Sequence, residues 1–285
     1  MIIWLASYPK SGNTLLRSML SAYFLTKDGN FNFNILKNIY QFPDLQLFKN
    51  CGVNTSDQME IVKNYINVQN KINAKDKNSV RFLKTHSGLS DINGHQFTNL
   101  KNSLGVIYIV RDPRCVVKSY ANHNQITLDN ASDRMLEYGT TIGGINNSPN
   151  EADEVLVHMN SWSSNYNSWK AFKKFDRYLL VKYEDIINDK KKTCLNILKF
   201  IHKLSKSKLI VDNMKLENTL KTTSFEYMQN LEKNEGFYES VMKNNKKIVF
   251  FKYGPKINTP DSLLPKIKEK LEVSLKVEME ELGYI

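Results

Sequence analysis

MIIWLASYPKSGNTLLR, residues 1–17, passes from apolar to polar and back within one short stretch. Ile2 to Ala6 is a continuous apolar run of the length of a buried strand. Ser7 to Asn13 is a polar turn containing Pro9 and Gly12, and Thr14 opens a segment with helical spacing. A strand that runs through a small-residue turn into a helix presents backbone N–H groups to an anion. Lys10 sits inside that turn, where a cation can reach the same anion. The turn is not the GxxxxGK[ST] phosphate loop, because Lys10 precedes Gly12. Taken singly, it fits a plain strand-to-helix connection as well as an anion cradle.

Further strands appear downstream. Val80 to Leu83 reads as a short strand that stops at Lys84-Thr85-His86, and Leu104 to Val110 as a buried, β-branched strand that runs into Arg111-Asp112-Pro113. Asp112 before Pro113 is a helix start, with an N-cap followed by proline at the first helical position. Cys115, Val116, Ser119 and Tyr120 then belong to that helix. Tyr178 to Val181 is another strand, followed by Tyr183-Glu184-Asp185 and an amphipathic helix that ends near Ile201. Strands alternating with helices predict one α/β domain over residues 1–285, with a mostly parallel sheet flanked by helices. Ligands of such sheets bind beyond the carboxyl ends of the strands, where the Lys10 turn, Lys84 to His86 and Arg111 all fall.

Other segments are less regular. Residues 27–78 suggest short helices around Ile35 to Ile39 and Gln58 to Val68, and residues 124–152, with Gly143-Gly144, read as an irregular loop. A helix is expected over Ala152 to Lys174, its Trp162, Tyr166 and Trp169 read as core. Leu264, Ile267, Leu271, Leu275, Met279 and Leu282 form a closing amphipathic helix, and Lys190 to Lys192 read as a solvated helix start.

The chain carries 40 Lys+Arg against 29 Asp+Glu, a net charge of +11, which favours acidic partners without choosing among them. Hydrophobic residues make up 41% of the chain, so a sizeable core is expected rather than disorder. Its three cysteines, Cys51, Cys115 and Cys194, lack metal-like spacing, arguing against a disulfide framework and for a reducing compartment. A start on a core strand, without a leader, and the lack of a run long enough to span a bilayer point to a cytoplasmic location.

Taken in order, PKSGNT, FLKTH, IYIVRDPRCVVKSY, KYED and TTSF resemble the PAPS-dependent sulfotransferases, from Ile3 to about Gly254. The resemblance implies a single α/β domain related to the P-loop nucleotide kinases. It implies an enzyme that moves the sulfuryl group of PAPS to an acceptor hydroxyl or amine and releases adenosine 3′,5′-bisphosphate. By position, Lys10, Ser11, Gly12, Asn13 and Thr14 match the loop that holds the 5′-phosphosulfate. Arg111 and Ser119 match the pair at the 3′-phosphate; Tyr183, Thr223, Ser224 and Phe225 match positions near the adenine. His86 matches the catalytic base, and Lys84, on the same side of an extended segment, would stabilise the sulfuryl oxygens. No metal is implied. The expected partner is a small-molecule, glycan or lipid acceptor, with no nucleic acid and no membrane span.

There are departures. Many members carry Trp after the loop threonine, stacked on adenine, and this chain has Leu15. An Arg-Lys-Gly that closes over the 3′-phosphate is here Lys252-Tyr253-Gly254, which keeps one cation and Gly254. The C-terminal segment lacks the dimerisation signature of the animal cytosolic members, so a dimer is not carried over. Two other readings remain open at this point. An ATP-dependent kinase lacks the Lys-Ser/Thr pair after the final glycine, and a nucleic-acid-binding module draws only on the charge.

Overall fold

The computed structural model describes residues 1–76, 79–143, 155–243, 246–255 and 257–285. Its centre is a four-stranded parallel sheet made of β1 (Ile2–Ala6), β2 (Arg81–Thr85), β3 (Ser103–Val110) and β4 (Tyr178–Lys182). The order across the sheet is β2-β1-β3-β4, so the first strand lies inside. Alternate residues of the inner strands feed opposite cores. Trp4, Ala6, Val106 and Tyr108 face one apolar cluster, while Ile3, Leu5, Ile107 and Ile109 face the other. Burial on both faces is why these strands read as unbroken apolar runs rather than as an alternation.

Helix α1 (Asn13–Leu25) covers the second face together with α5 (Lys190–Ser205), reached through α2 (Pro113–Asn124), α3 (Trp162–Trp169) and α4 (Tyr183–Asn188). Later in the chain come α6 (Asn213–Thr222), α7 (Phe225–Glu235), α8 (Pro265–Ser274) and α9 (Lys276–Glu281). Asp112 caps α2 as its sequence predicts, its carboxylate accepting from the Arg114 N–H at 2.9 Å, with Pro113 at the first position. Among the described residues, no helix is long and apolar enough to cross a membrane.

Three regions differ from the sequence expectation. The helix expected over 152–174 is confined to Trp162–Trp169 and continues as a 3₁₀ turn to Phe175. Ser161 starts it by capping the Ser164 N–H, and its first expected residues, 152–154, lie outside the described ones. Trp162, Tyr166 and Trp169 are core, each no more than 1% exposed. The closing helix is two helices that break at Leu275, whose side chain remains buried. The irregular region after Asn124 contains a helix over Leu128–Leu136; residues 144–152 of it lie outside the described residues.

Candidate active site

The turns that follow β1, β2 and β3 open onto one cavity of about 1370 Å³. Its floor is the start of α1. Gly12 stands at the N-cap in the left-handed region (φ 103°), and no side chain among the described residues caps the helix there. The first N–H groups of a 13-residue helix are therefore turned toward the cavity, an arrangement that favours anions. A methyl group on Gly12 would come within 2.6 Å of Tyr183 Cδ2, so the glycine is required by space as well as by φ.

Lys10 also adopts a left-handed backbone (φ 65°), a conformation that costs a non-glycine residue on the order of 1 kcal/mol. Its Nζ lies 3.5 Å from the centre of the Phe250 ring. Burial is the main reason that its pKa falls to about 7; the Glu239 carboxylate opposes the shift, while Lys84 and Arg111 add to it. Asn13 turns inward, its amide donating to the Leu5 carbonyl at 2.9 Å and to Ser7 Oγ at 3.1 Å. It thereby ties the helix start to the strand end.

His86 stands one residue beyond β2, with Nδ1 2.9 Å from the Ser7 carbonyl. A carbonyl can only accept, so Nδ1 carries the hydrogen and Nε2 keeps its lone pair. Burial, reinforced by Lys84, pushes the imidazole pKa down to about 3 against the opposing Ser7 hydrogen bond. The ring is therefore neutral near pH 7. Helix α3 holds the same segment from behind: Asn165 Nδ2 donates to the His86 carbonyl at 2.9 Å and Trp169 Nε1 to the Ser87 carbonyl at 3.0 Å. The tryptophan read as core thus also anchors this turn.

Arg111 follows β3 and is 6% exposed. Its guanidinium carbon lies 4.2 Å from the centre of the Tyr183 ring, and its Nε has no hydrogen-bond partner among the described residues. Ser119, two turns along α2, opens onto the same cavity.

Most of the residues singled out in the sequence meet here. Lys10, Gly12, Asn13, Thr14, Lys84 and His86 line the cavity, as do Arg111, Ser119 and Tyr183 and the run Thr223, Ser224 and Phe225. Ser224 doubles as the N-cap of α7, accepting from the Tyr227 N–H, and the Thr223 hydroxyl donates to the Thr219 carbonyl at 2.6 Å. Three of the named residues are not among those lining it. Ser11 is fully buried beneath the loop, exposed Lys252 donates to Asn122 Oδ1 at 3.0 Å, and buried Gly254 lies against the Phe225 ring. Lys190 corrects another reading: rather than being solvated, it lines the cavity and donates to the Leu220 carbonyl at 2.9 Å. Burial lowers its pKa to about 8.

The sequence reading missed a carboxylate. Glu239 lies 2.6 Å from Arg17 and 3.8 Å from Lys84, and it accepts from the Thr14 hydroxyl at 3.3 Å. Burial alone would raise its pKa, but Lys84 and Arg17 outweigh that and hold it at about 2. Arg17 is only 2% exposed. Its position among Leu15, Leu16, Met19 and Leu20 was the available signal, since an arginine on an apolar helix face needs a buried partner. Glu239 itself, in an irregular stretch, offered none. His123 and Phe250 complete this wall, their rings edge to face with centroids 5.9 Å apart.

A strand-end cavity with a helix start that no side chain caps among the described residues, the basic groups Lys10, Lys84 and Arg111, and a neutral imidazole suits group transfer from an anion. The sulfotransferase-domain family model matches residues 2–283, and the chain belongs to that family. The fold is shared with the mouse sulfotransferase SULT7A1 complexed with PAP (TM-score 0.57, 18% identity), covering 98% of this chain and 84% of that one. It is also shared with retinol dehydratase in complex with androsterone and inactive cofactor PAP (TM-score 0.58, 18% identity), covering 98% and 80%.

Proposed function

We propose that this sulfotransferase takes the sulfuryl group from PAPS and passes it to a hydroxyl or amine of a small molecule, releasing adenosine 3′,5′-bisphosphate (PAP). The observation that carries the reading is the meeting of Lys10, His86 and Arg111, from three neighbouring strand ends, around one cavity. The cavity's chemistry fits such a donor. The helix start at Gly12 is uncapped among the described residues, and the Arg111 Nε has no partner there, so both can take an anion. That Arg111 pairs with Ser119 at a 3′-phosphate follows from the family motif; the forked, always-charged guanidinium suits a phosphate dianion.

In this reading the α1 N–H groups, with Ser11 and Thr14 in the loop, bind the 5′-phosphate. Lys10 neutralises the oxygen that gains charge as the S–O bond breaks, and Lys84 faces the transferred group. His86 takes the acceptor proton on Nε2, the nitrogen left free by the Ser7 hydrogen bond. The transfer is in line between two oxygens, or from oxygen to nitrogen, so positioning and charge stabilisation supply most of the acceleration. Tyr183, Thr223, Ser224 and Phe225 flank the adenine, with Leu15 in place of a stacking ring. Lys252 and Gly254 close the loop behind them.

The acceptor is proposed to be small and partly apolar. Ile39, Leu45, Val155 and Val157 are among the apolar residues lining the cavity, and retinol dehydratase structures hold androsterone or retinol. A single domain spanning the chain and a cytoplasmic location belong to the same proposal; all three cysteines are free. The test is His86→Ala with labelled PAPS and a panel of phenols, alcohols, amines and glycans. Turnover is lost while PAP still binds by calorimetry. Undiminished turnover removes His86 from the reaction, and tighter binding of ATP than of PAP removes the donor assignment.

A further inference from the structure

The last residues of the chain reach the turn that carries Arg111. Tyr284 Oη donates to Glu184 Oε2 at 3.0 Å, and the other oxygen of that carboxylate, Oε1, accepts from the Asp112 N–H at 3.1 Å. The Tyr284 carbonyl in turn accepts from Arg114 Nη2 at 2.8 Å. Arg114 also pairs with Asp112 at 2.6 Å and with Glu272 of α8 at 2.6 Å. The backbone on the C-terminal side of Arg111 is thus clamped at its N–H by Glu184 and at its side chains by Arg114. On the other side, the ring of Tyr183, the residue before Glu184, lies against the Arg111 guanidinium. A single dipeptide, Tyr183-Glu184, therefore carries both the surface under the guanidinium and the acceptor for the next peptide group. Glu184 is half-buried and meets no cation at ion-pair distance among the described residues; hydrogen bonds from the Asp112 N–H and the Tyr284 hydroxyl hold its two oxygens.

We infer that Glu184 and Tyr284 are positioning residues for Arg111, setting the guanidinium where it discriminates a nucleotide bearing a 3′-phosphate from one without it. This rests on the proposed reading of Arg111 as the 3′-phosphate ligand. Neither residue is among those lining the cavity. The function of the chain's end is then to keep a distant arginine aimed, over and above closing the fold.

The probes are PAP and adenosine 5′-monophosphate, which differ only in the 3′-phosphate, titrated calorimetrically into the full chain. Tyr284→Phe keeps the ring and removes the hydroxyl, and Glu184→Gln keeps the shape. Each should reduce the PAP-to-monophosphate affinity ratio about tenfold, the scale of a hydrogen bond to a charged group, with monophosphate binding unchanged. A merely structural role would weaken both nucleotides together and leave the ratio untouched, and that result overturns the inference. Arg111→Ala separates the two layers. If it lowers the ratio and the Tyr284 and Glu184 variants do not, the positioning role falls alone. If Arg111→Ala leaves the ratio unchanged, the ligand reading falls and takes the inference with it.

Discussion

Lys10, His86 and Arg111 stand just beyond the ends of three adjacent parallel strands. Lining the same cavity, Ile39 and Asp44 stand on irregular chain beside short helices, and Ile142 and Val157 on a two-residue strand pair. The first group is positioned by ladder hydrogen bonds and by two cores. The second hangs on the sheet's edge at a single bridge and on a cap: the Phe42 N–H donates to the Lys84 carbonyl at 2.8 Å, the Lys84 N–H to the Tyr40 carbonyl at 2.8 Å, and Asp44 caps the Leu47 N–H. What differs is how far a sequence change propagates. On the proposed reading, a misplaced atom at a strand end disturbs chemistry common to every turnover, whereas one in the second group changes which molecule fits.

This contrast is broken most directly at His86. His86→Ala should lower kcat by roughly 10³-fold, within the range expected for losing a general base, while PAP affinity changes little in a calorimetric titration. A comparable loss from Val157→Ala, read with the same acceptor, would erase the distinction between the two groups. Gly12→Ala should weaken PAP by about tenfold or more, because the added methyl meets Tyr183 at 2.6 Å and φ is positive. Unchanged binding would mean that the turn tolerates rearrangement.

Smaller effects sharpen the comparison. Lys10 has a pKa near 7 through burial, and a bound anion raises it, so PAP binding near pH 7.5 should take up protons. Titrations in buffers of different ionisation enthalpy read this uptake, and affinity should decline as pH rises. His86 and His123 both have pKa values held near 3 by burial, whereas the unfolded imidazoles titrate near 6.5. Between those values the unfolded chain binds more protons, so stability falls as pH drops from about 6.5 toward 3. Melting temperature against pH checks it, and His123→Gln should flatten the slope. Smallest of all, Leu15→Trp should tighten PAP binding a few-fold, the scale of one added ring on a base.

The unequal legibility of the two groups follows from the same physics. β1 and β3 could be read because burial on both faces leaves the runs Ile2–Ala6 and 104–110 uncharged and almost wholly apolar, and the Asp112-Pro113 helix start follows from local backbone rules. The residues of the loop stand close together in sequence. Glu239 was hidden because its role depends on Arg17 and Lys84, far away along the chain. Lys190 was misread for a related reason. Three adjacent lysines at a helix start look solvated, and only the packing of α6 brings the Leu220 carbonyl to the first of them. The short helices between 27 and 78 are started by single caps at Asn32, Asp44 and Asp57, signals too local to mark where those helices end.

The place of β1 inside the sheet has a consequence for synthesis. Ile2–Ala6 leaves the ribosome before either of its two neighbours, residues 81–85 and 103–110. At roughly 5–20 residues per second, an apolar strand with both edges unpaired waits for seconds before either partner exists. Until then its edges are open to pairing with another chain, and the Lys10 turn that follows it has no sheet to stand on. A strand made before both of its partners is thus among the last to acquire its structure.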